Sequence, residues 1–555
     1  MRSLAAALLL LPGAAQAAGP VARFDWFDYR GADPADAQAK AGPGDYRNPI
    51  LSGFYSDPSI TRVGDDYYLV SSTFAYFPGI PVFHSRDLVN WTQIGNAIDR
   101  PGQLDFKNLE MSRAVFAPAI SWHDGRFYIV NTCVDCGGNF VITAKDPKGP
   151  WSDPVWFDFD GIDPSLFFDE DGGAWLVNNG PPPGKPLYPG HRAIWIQRFD
   201  DKALTLVGPR TMLVDGGVDI AKKPIWIEGP HIYRKGGSYY LSAAEGGTAE
   251  GHSQTIFRSK SVTGPYEPGP RNPILTQRDL DPRRPLPITS AGHADLVTTP
   301  AGDWWSVFLA TRPYRGDYYN IGRETFLLPV AWRDGWPEIL PPGAAIPYVH
   351  KRPALAPQPA PAIPTSGAFA VRDDFSEAKL PLYWMQLRTP RTQWFSLGKG
   401  ALSVEARAEP LGGGGQPSYL GRRLQHHWAT ITTSVRFAPE KPGDRAGLAI
   451  FQNSSHFYTL TVARGARGAE IRLDRRAGAA DPADGVAVAE RPVASPRGPV
   501  ALRIVTRGDR IDFLYALRPG RWQMLAHDLD ATLLSTRTAG GFIGATVGPY
   551  ARSGD

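Results

Sequence analysis

Asn48-Pro49-Ile50-Leu51-Ser52-Gly53-Phe54-Tyr55-Ser56-Asp57-Pro58-Ser59-Ile60 is the stretch whose reading decides this chain. One carboxylate, Asp57, stands between a turn-prone run and an apolar strand signal from Ser59 to Val63. A Gly64-Asp65-Asp66 turn and Tyr67-Tyr68-Leu69-Val70 follow, so the unit reads as a hairpin. Pro58 disfavours the helical region for the residue before it, which predicts an extended Asp57 at the strand start. Alone, such an aspartate is a turn residue as readily as a functional one.

The unit returns four times. Ala117-Pro118-Ala119-Ile120 leads to Phe127-Tyr128-Ile129-Val130, and Asp163-Pro164-Ser165-Leu166 leads to Ala174-Trp175-Leu176-Val177. Glu228-Gly229-Pro230-His231-Ile232 leads to Tyr239-Tyr240-Leu241-Ser242, and Gly292-His293-Ala294-Asp295-Leu296 leads to Trp304-Trp305-Ser306-Val307. A period of roughly 45–65 residues suits four-stranded propeller blades with variable loops. A sandwich of stacked hairpins would explain the strands but not the repeat. The expected fold is all-β: a five-bladed β-propeller over 44–350, a Pro-rich linker over 351–367 and a concanavalin-like β-sandwich over 368–555. The sandwich expectation rests on alternating strand candidates such as Thr430 to Phe437, Phe457 to Val462 and, last, Gly541 to Val547.

The first strand of each propeller blade lines the central channel. Asp57, Ala117, Asp163, Glu228 and His293 hold the equivalent position in the five units. Three carboxylates and an imidazole, remote in sequence, are therefore expected at one mouth, where a single one would be a turn residue.

Composition narrows the function. Fifty-nine Lys and Arg against 55 Asp and Glu leave a net charge of +4, and no basic stripe interleaves with aromatics, so nucleic acid is not an expected partner. Arg2, the apolar run Leu4 to Leu11 and Ala15-Gln16-Ala17 read as a signal peptide over residues 1–17. The apolar run is too short for a membrane span, so an exported protein, periplasmic or secreted, is expected. Cys133 and Cys136 are the two cysteines of the chain. Export favours a local disulfide between them over redox work, and two further zinc ligands are not found nearby.

Two carboxylates with a third modulating group equip a site to cleave a glycosidic bond, one ionised to activate water and one protonated to donate to the leaving oxygen. Asp57 is the base candidate. Glu228 is the acid candidate, with Asp163 as the like charge that keeps it protonated. Such a pair inverts the anomeric centre, with carboxyl groups roughly 6.5–9.5 Å apart. Among the aromatics Phe54, Phe74, Tyr76, Phe77, Phe116, Trp226 and Trp305, Phe74 and Phe116 are the best candidates to touch sugar. Arg323, in a Gly-rich turn, is a candidate to bind a sugar hydroxyl or hold a carboxylate ionised, with a structural salt bridge as the plain alternative. His293 is a weak candidate for ordering water or a cation in the channel, since calcium prefers oxygen ligands.

These residues resemble a known family. Gly53-Phe54-Tyr55-Ser56-Asp57-Pro58-Ser59, Ser72-Thr73-Phe74-Ala75-Tyr76-Phe77-Pro78-Gly79, Ile162-Asp163-Pro164-Ser165-Leu166-Phe167, Glu228-Gly229-Pro230-His231, Gly292-His293-Ala294 and Gly322-Arg323-Glu324-Thr325 are similar to the motifs of family 43 glycoside hydrolases. The similar group contains β-xylosidases and α-L-arabinofuranosidases with an added β-sandwich. The resemblance spans about Tyr46 to Leu340, and more weakly the C-terminal part through Asp373-Asp374-Phe375 and Gly541-Phe542-Ile543-Gly544-Ala545. It implies a five-bladed propeller, Asp57 as general base, Asp163 as pKa modulator, Glu228 as general acid, and Arg323 on the sugar of the first subsite. It further implies that no cofactor is required, that calcium can sit by His293 in the channel, and that the sandwich closes one side of the pocket. Phe116 departs from the Trp that many xylosidases of the group carry, and the cysteine pair lies outside the family pattern.

The expected activity is that of an exo-acting β-1,4-xylosidase on xylo-oligosaccharides. An α-L-arabinofuranosidase on arabinoxylan fragments, an enzyme with both activities, or a non-catalytic sugar-binding propeller are the alternatives. Homo-oligomerisation is compatible with the sequence.

Overall fold

Each of the five hairpins grows into an antiparallel sheet. The computed structural model describes residues 19–494, 496 and 498–554, so the signal-peptide expectation lies outside the described residues. Blade one comprises Ser59–Val63, Asp66–Val70, Gly79–Ser85 and Thr92–Ile98 in sequential order. Blades two to five follow the same order, with inner strands Ala119–His123, Ile162–Phe168, Glu228–Lys235 and Thr289–Thr298. Consecutive inner strands touch around a full circle, and the fifth returns to the first. The chain is a five-bladed propeller, in which alternating Val, Ile, Tyr and Trp fill the spaces between twisted blades.

The middle of the channel is packed with polar groups. Asp295 accepts from Ser59 Oγ at 2.7 Å, Ile60 N at 2.9 Å and Tyr233 Oη at 2.7 Å, tying blades one, four and five together. A buried carboxylate with three donors satisfies the rule that buried charge must be hydrogen-bonded.

The C-terminal part is a concanavalin-like sandwich of two large sheets around one apolar core. Its first sheet contains a strand the sequence reading did not place. Val21–Ala32, before the propeller, pairs with Phe369–Asp373, Leu402–Glu405 and Trp428–Arg436. Burial of Phe24, Phe27 and Tyr29 in the sandwich core is the driving force. The second sheet reaches back into the propeller, since Met385–Leu387 pairs with Tyr76–Phe77 of blade one. The last strand is Thr546–Arg552 rather than Gly541 to Val547. Gly541 to Ala545 instead form an extended loop against the propeller, with Ala545 N bonded to Asn320 O and Phe542 N to Ser112 Oγ.

The Pro-rich connection is pinned to blade one, where Ser366 Oγ donates to Pro49 O at 2.6 Å and Thr365 Oγ1 to Ile50 O at 3.0 Å. Cys133 and Cys136 are joined by a disulfide at the end of the second strand of blade two.

Candidate active site

All five equivalent blade positions line one cavity of about 300 Å³. Asp57, Ala117, Asp163, Glu228 and His293 are joined there by Phe74, Phe116, Trp226, Arg323 and Phe542. The backbone explains the convergence. Asp57, Asp163 and His293 have φ of 54°, 53° and 53°, and Glu228 is followed by Gly229 at 56°. Ladder register shifts fall at the same places, between Ile162 and Ser165, Glu228 and His231, and Gly292 and Asp295. A bulge at a strand start re-aims the side chain, here into the funnel.

This corrects the expectation for Asp57, which is left-handed and not extended. The strain, about 1–3 kcal/mol for a residue of this type, is offset by bonds only this geometry permits. Ser72 Oγ donates to Asp57 Oδ2 at 2.5 Å, and Arg323 donates through Nη1 to Oδ1 at 3.1 Å and through Nη2 to Oδ2 at 3.4 Å. Gly229 is required by its φ and by space: a Cβ there would lie 2.7 Å from His293 Nε2.

The carboxylates divide electrostatically. Burial pushes Asp57 up, but Arg323, His293 and the hydroxyl of Ser72 together hold it below the ordinary carboxylate value. Asp163 is raised to about 7 by burial and by the charge of Asp57, against the Gly229 N–H, Arg323 and Arg192. Glu228 is raised well above its ordinary value by burial, Asp163 and Asp57, against Arg323 and Trp226. His293 lies 3.7 Å from Asp57 through Nδ1. Burial pulls it down to about 4 although Asp57 opposes, so the ring is neutral at pH 7.

The acid-bearing loop is clamped from blade three. Asn179 Nδ2 donates to Ile227 O, and Asn179 Oδ1 accepts from Arg192 Nε at 3.0 Å and Nη2 at 2.8 Å. The Arg192 guanidinium covers the Trp226 ring at 4.8 Å. Asn179 follows Val177 of the repeat as Ser72 follows Val70, but its reach to the neighbouring blade leaves no pattern along the chain, and Arg192 lies outside the repeated hairpins.

Of the aromatic candidates, Phe74, Phe116 and Trp226 line the cavity. Phe54, Tyr76, Phe77 and Trp305 are core. The aromatic missed as a wall is Phe542, which comes from the sandwich loop, stacks on Phe74 at 6.1 Å and meets Phe116 edge-on at 5.8 Å. Arg323 sits 5.4 Å from the Phe542 ring.

Ligand atoms of Asp163, Glu228 and His293 lie within 4.8 Å of one another. The set fits calcium poorly: that ion takes six to eight oxygens, whereas one donor here is nitrogen and both carboxyls are pushed toward the protonated form.

The sequence profile of glycosyl hydrolases family 43 matches residues 46–337, and that of the beta xylosidase C-terminal concanavalin A-like domain matches residues 372–555. A xylosidase/arabinosidase of Butyrivibrio fibrisolvens is 38% identical over 513 residues, covering 91% of this chain and 95% of the relative. A non-reducing end alpha-L-arabinofuranosidase of Bacteroides ovatus is 35% identical over 517 residues, covering 91% of each. A crystal structure described as a GH43_12 retrieved from capybara gut metagenome superposes with a TM-score of 0.88 at 39% identity, covering 96% of this chain and 100% of that one.

Proposed function

The chain belongs to family 43 of the glycosyl hydrolases, and from that premise we propose that it is an inverting, exo-acting β-1,4-xylosidase that releases terminal xylose from xylo-oligosaccharides. The carrying observation is the electrostatic split inside one small pocket, with Asp57 held ionised and Glu228 held protonated.

In this reading Asp57 takes a proton from a water molecule as the water oxygen attacks the anomeric carbon. Glu228 gives its proton to the leaving oxygen as the glycosidic bond breaks. Asp163 keeps the Glu228 proton in place and does not itself transfer it. Proton exchange with solvent then restores both groups. Arg323 holds Asp57 ionised and presents its guanidinium to the sugar hydroxyls. Phe542 supports exo action, because it closes the pocket on the sandwich side and leaves room for about one terminal unit. No cofactor takes part. Export to the periplasm or medium goes with the signal-peptide reading and is part of the proposal.

A second reading, an α-L-arabinofuranosidase alone or with both activities, is favoured by the names of the two relatives above. Parallel kinetics on p-nitrophenyl β-xyloside and α-L-arabinofuranoside separate the two. Turnover of the arabinoside without the xyloside overturns the first reading. An anomer-resolved NMR time course showing retention overturns the mechanism for either.

A further inference from the structure

A second cleft, of about 400 Å³, opens where the propeller meets the sandwich and shares no residue with the catalytic cavity. Its lining includes the N-terminal segment at Asp33, the blade-five loop at Arg312 to Arg315, and the sandwich at His427, Trp428 and Arg507 to Asp509.

At its floor is an unanswered acceptor. His427 is buried, and its Nε2 pairs with the Arg312 carbonyl at 2.6 Å. A carbonyl only accepts, so Nε2 carries the hydrogen. Burial pulls the ring down to about 4, so at pH 7 it is neutral and Nδ1 is a bare lone pair. That Nδ1 is buried and has no hydrogen-bond partner among the described residues. A buried polar atom left unpaired costs about 1–3 kcal/mol, which a donor entering the cleft would recover.

The walls set the kind of donor. Trp428 stands 50% exposed beside the floor histidine, where a large aromatic is ordinarily covered. Tyr314 meets His427 edge-on at 5.3 Å. The charges are already spent on each other, Arg315 on Asp509 at 2.9 Å, Arg312 on Asp33 at 2.7 Å and Arg507 on Asp512 at 2.7 Å. The cleft therefore asks for a neutral molecule with hydroxyl donors and a flat apolar face.

We propose that this cleft is a non-catalytic binding site for a neutral sugar unit, stacked on Trp428 with a hydroxyl directed to His427 Nδ1, through which the enzyme holds a polysaccharide chain. The need for a neutral hydroxylated ligand stands on the cleft, and the choice of a pentose polymer rests on the proposed function.

The test is affinity gel electrophoresis of the full chain in soluble arabinoxylan. An Asp57→Asn background prevents digestion of the gel, and comparing it with and without Trp428 separates the cleft's share of binding from that of the catalytic pocket. The background protein should be retarded, and adding Trp428→Ala should reduce the retardation about fivefold or more. Trp428→Phe, which keeps a ring, should retain most of it. Trp428→Ala in the otherwise native enzyme should keep kcat/KM on the aryl glycosides within about twofold. Should Trp428→Ala fail to fold, Tyr314→Leu, at a residue that also lines the cleft, replaces it with the same expectations. Equal retardation with and without Trp428, or no retardation of the background protein, overturns the proposal. Trp428-dependent retardation without turnover of either aryl glycoside leaves the cleft standing and overturns the proposed function instead.

Discussion

The pocket has two carboxylate walls that share a backbone plan and differ in charge. Asp57 is 6% exposed, Asp163 6% and Glu228 5%, so burial is the same for all three and cannot be what separates them. The blade-one wall supplies a bidentate guanidinium and the Ser72 hydroxyl to its carboxylate. The wall of blades three and four faces other carboxylates, and the Arg192 of blade three is turned onto Asn179 and Trp226. Burial alone protonates an acid, and a well-placed cation reverses it. One desolvated cavity thus holds an ionised and a protonated carboxyl at the same pH.

The hardest blow to that division is Asp57→Asn. The variant should lose on the order of 10²–10⁴-fold or more in kcat on every substrate while still binding sugar, because a positioned base is worth that much. Hydrolysis at the wild-type rate would mean that the blade-one wall is not the base.

Glu228→Gln should be next, and selective. On xylobiose, with a poor leaving group, kcat should fall about 10²–10⁴-fold, whereas p-nitrophenyl glycosides, whose leaving group needs little protonation, should lose far less. Equal losses on both would make Glu228 structural.

The pH profile probes both walls together. Activity requires Asp57 ionised, so the rising limb of kcat/KM should lie below the ordinary carboxylate range. It also requires Glu228 protonated, so the falling limb should lie well above the ordinary carboxylate range. Arg323→Met removes a cation that lowers all three carboxyls. Loss of a cation raises a carboxyl pKa, so both limbs should move to higher pH. A profile that stays in place would show that Arg323 does not set the charge of Asp57.

The smallest effect belongs to the blade-three clamp. Asn179→Ala removes one buried hydrogen bond to the acid loop, worth about 1 kcal/mol. That predicts roughly a fivefold fall in kcat on xylobiose with KM little changed. A change confined to thermal stability would reduce the clamp to scaffolding.

Much of this wall-building was legible in the chain. The five hairpins recur with Asp57, Ala117, Asp163, Glu228 and His293 in register, and a propeller turns equal register into equal depth in one funnel. The strand starts therefore mark the pocket. The left-handed turn at Asp57 was hidden, since Pro58 argues locally for extension and only Ser72 and Arg323 together repay the strain. Phe542 was hidden for another reason. It belongs to no repeat, and its loop reads as part of a strand until Gly544 is seen pressed against Gly322, where an added Cβ would meet its backbone at 2.8 Å. Val21–Ala32 was equally silent, because an alternating strand does not say which sheet it will join.

By itself, then, the sequence determined the repeat, the blade count and the three carboxylates, because these follow from local patterns that recur. The tertiary structure decided which carboxylate is charged, which aromatic closes the pocket and where the first strand goes. Each of those depends on groups brought together across hundreds of residues, as Arg323 is to Asp57 and Phe542 to Phe74. Charge and closure are properties of neighbours in space, and a linear pattern records neighbours only along the chain.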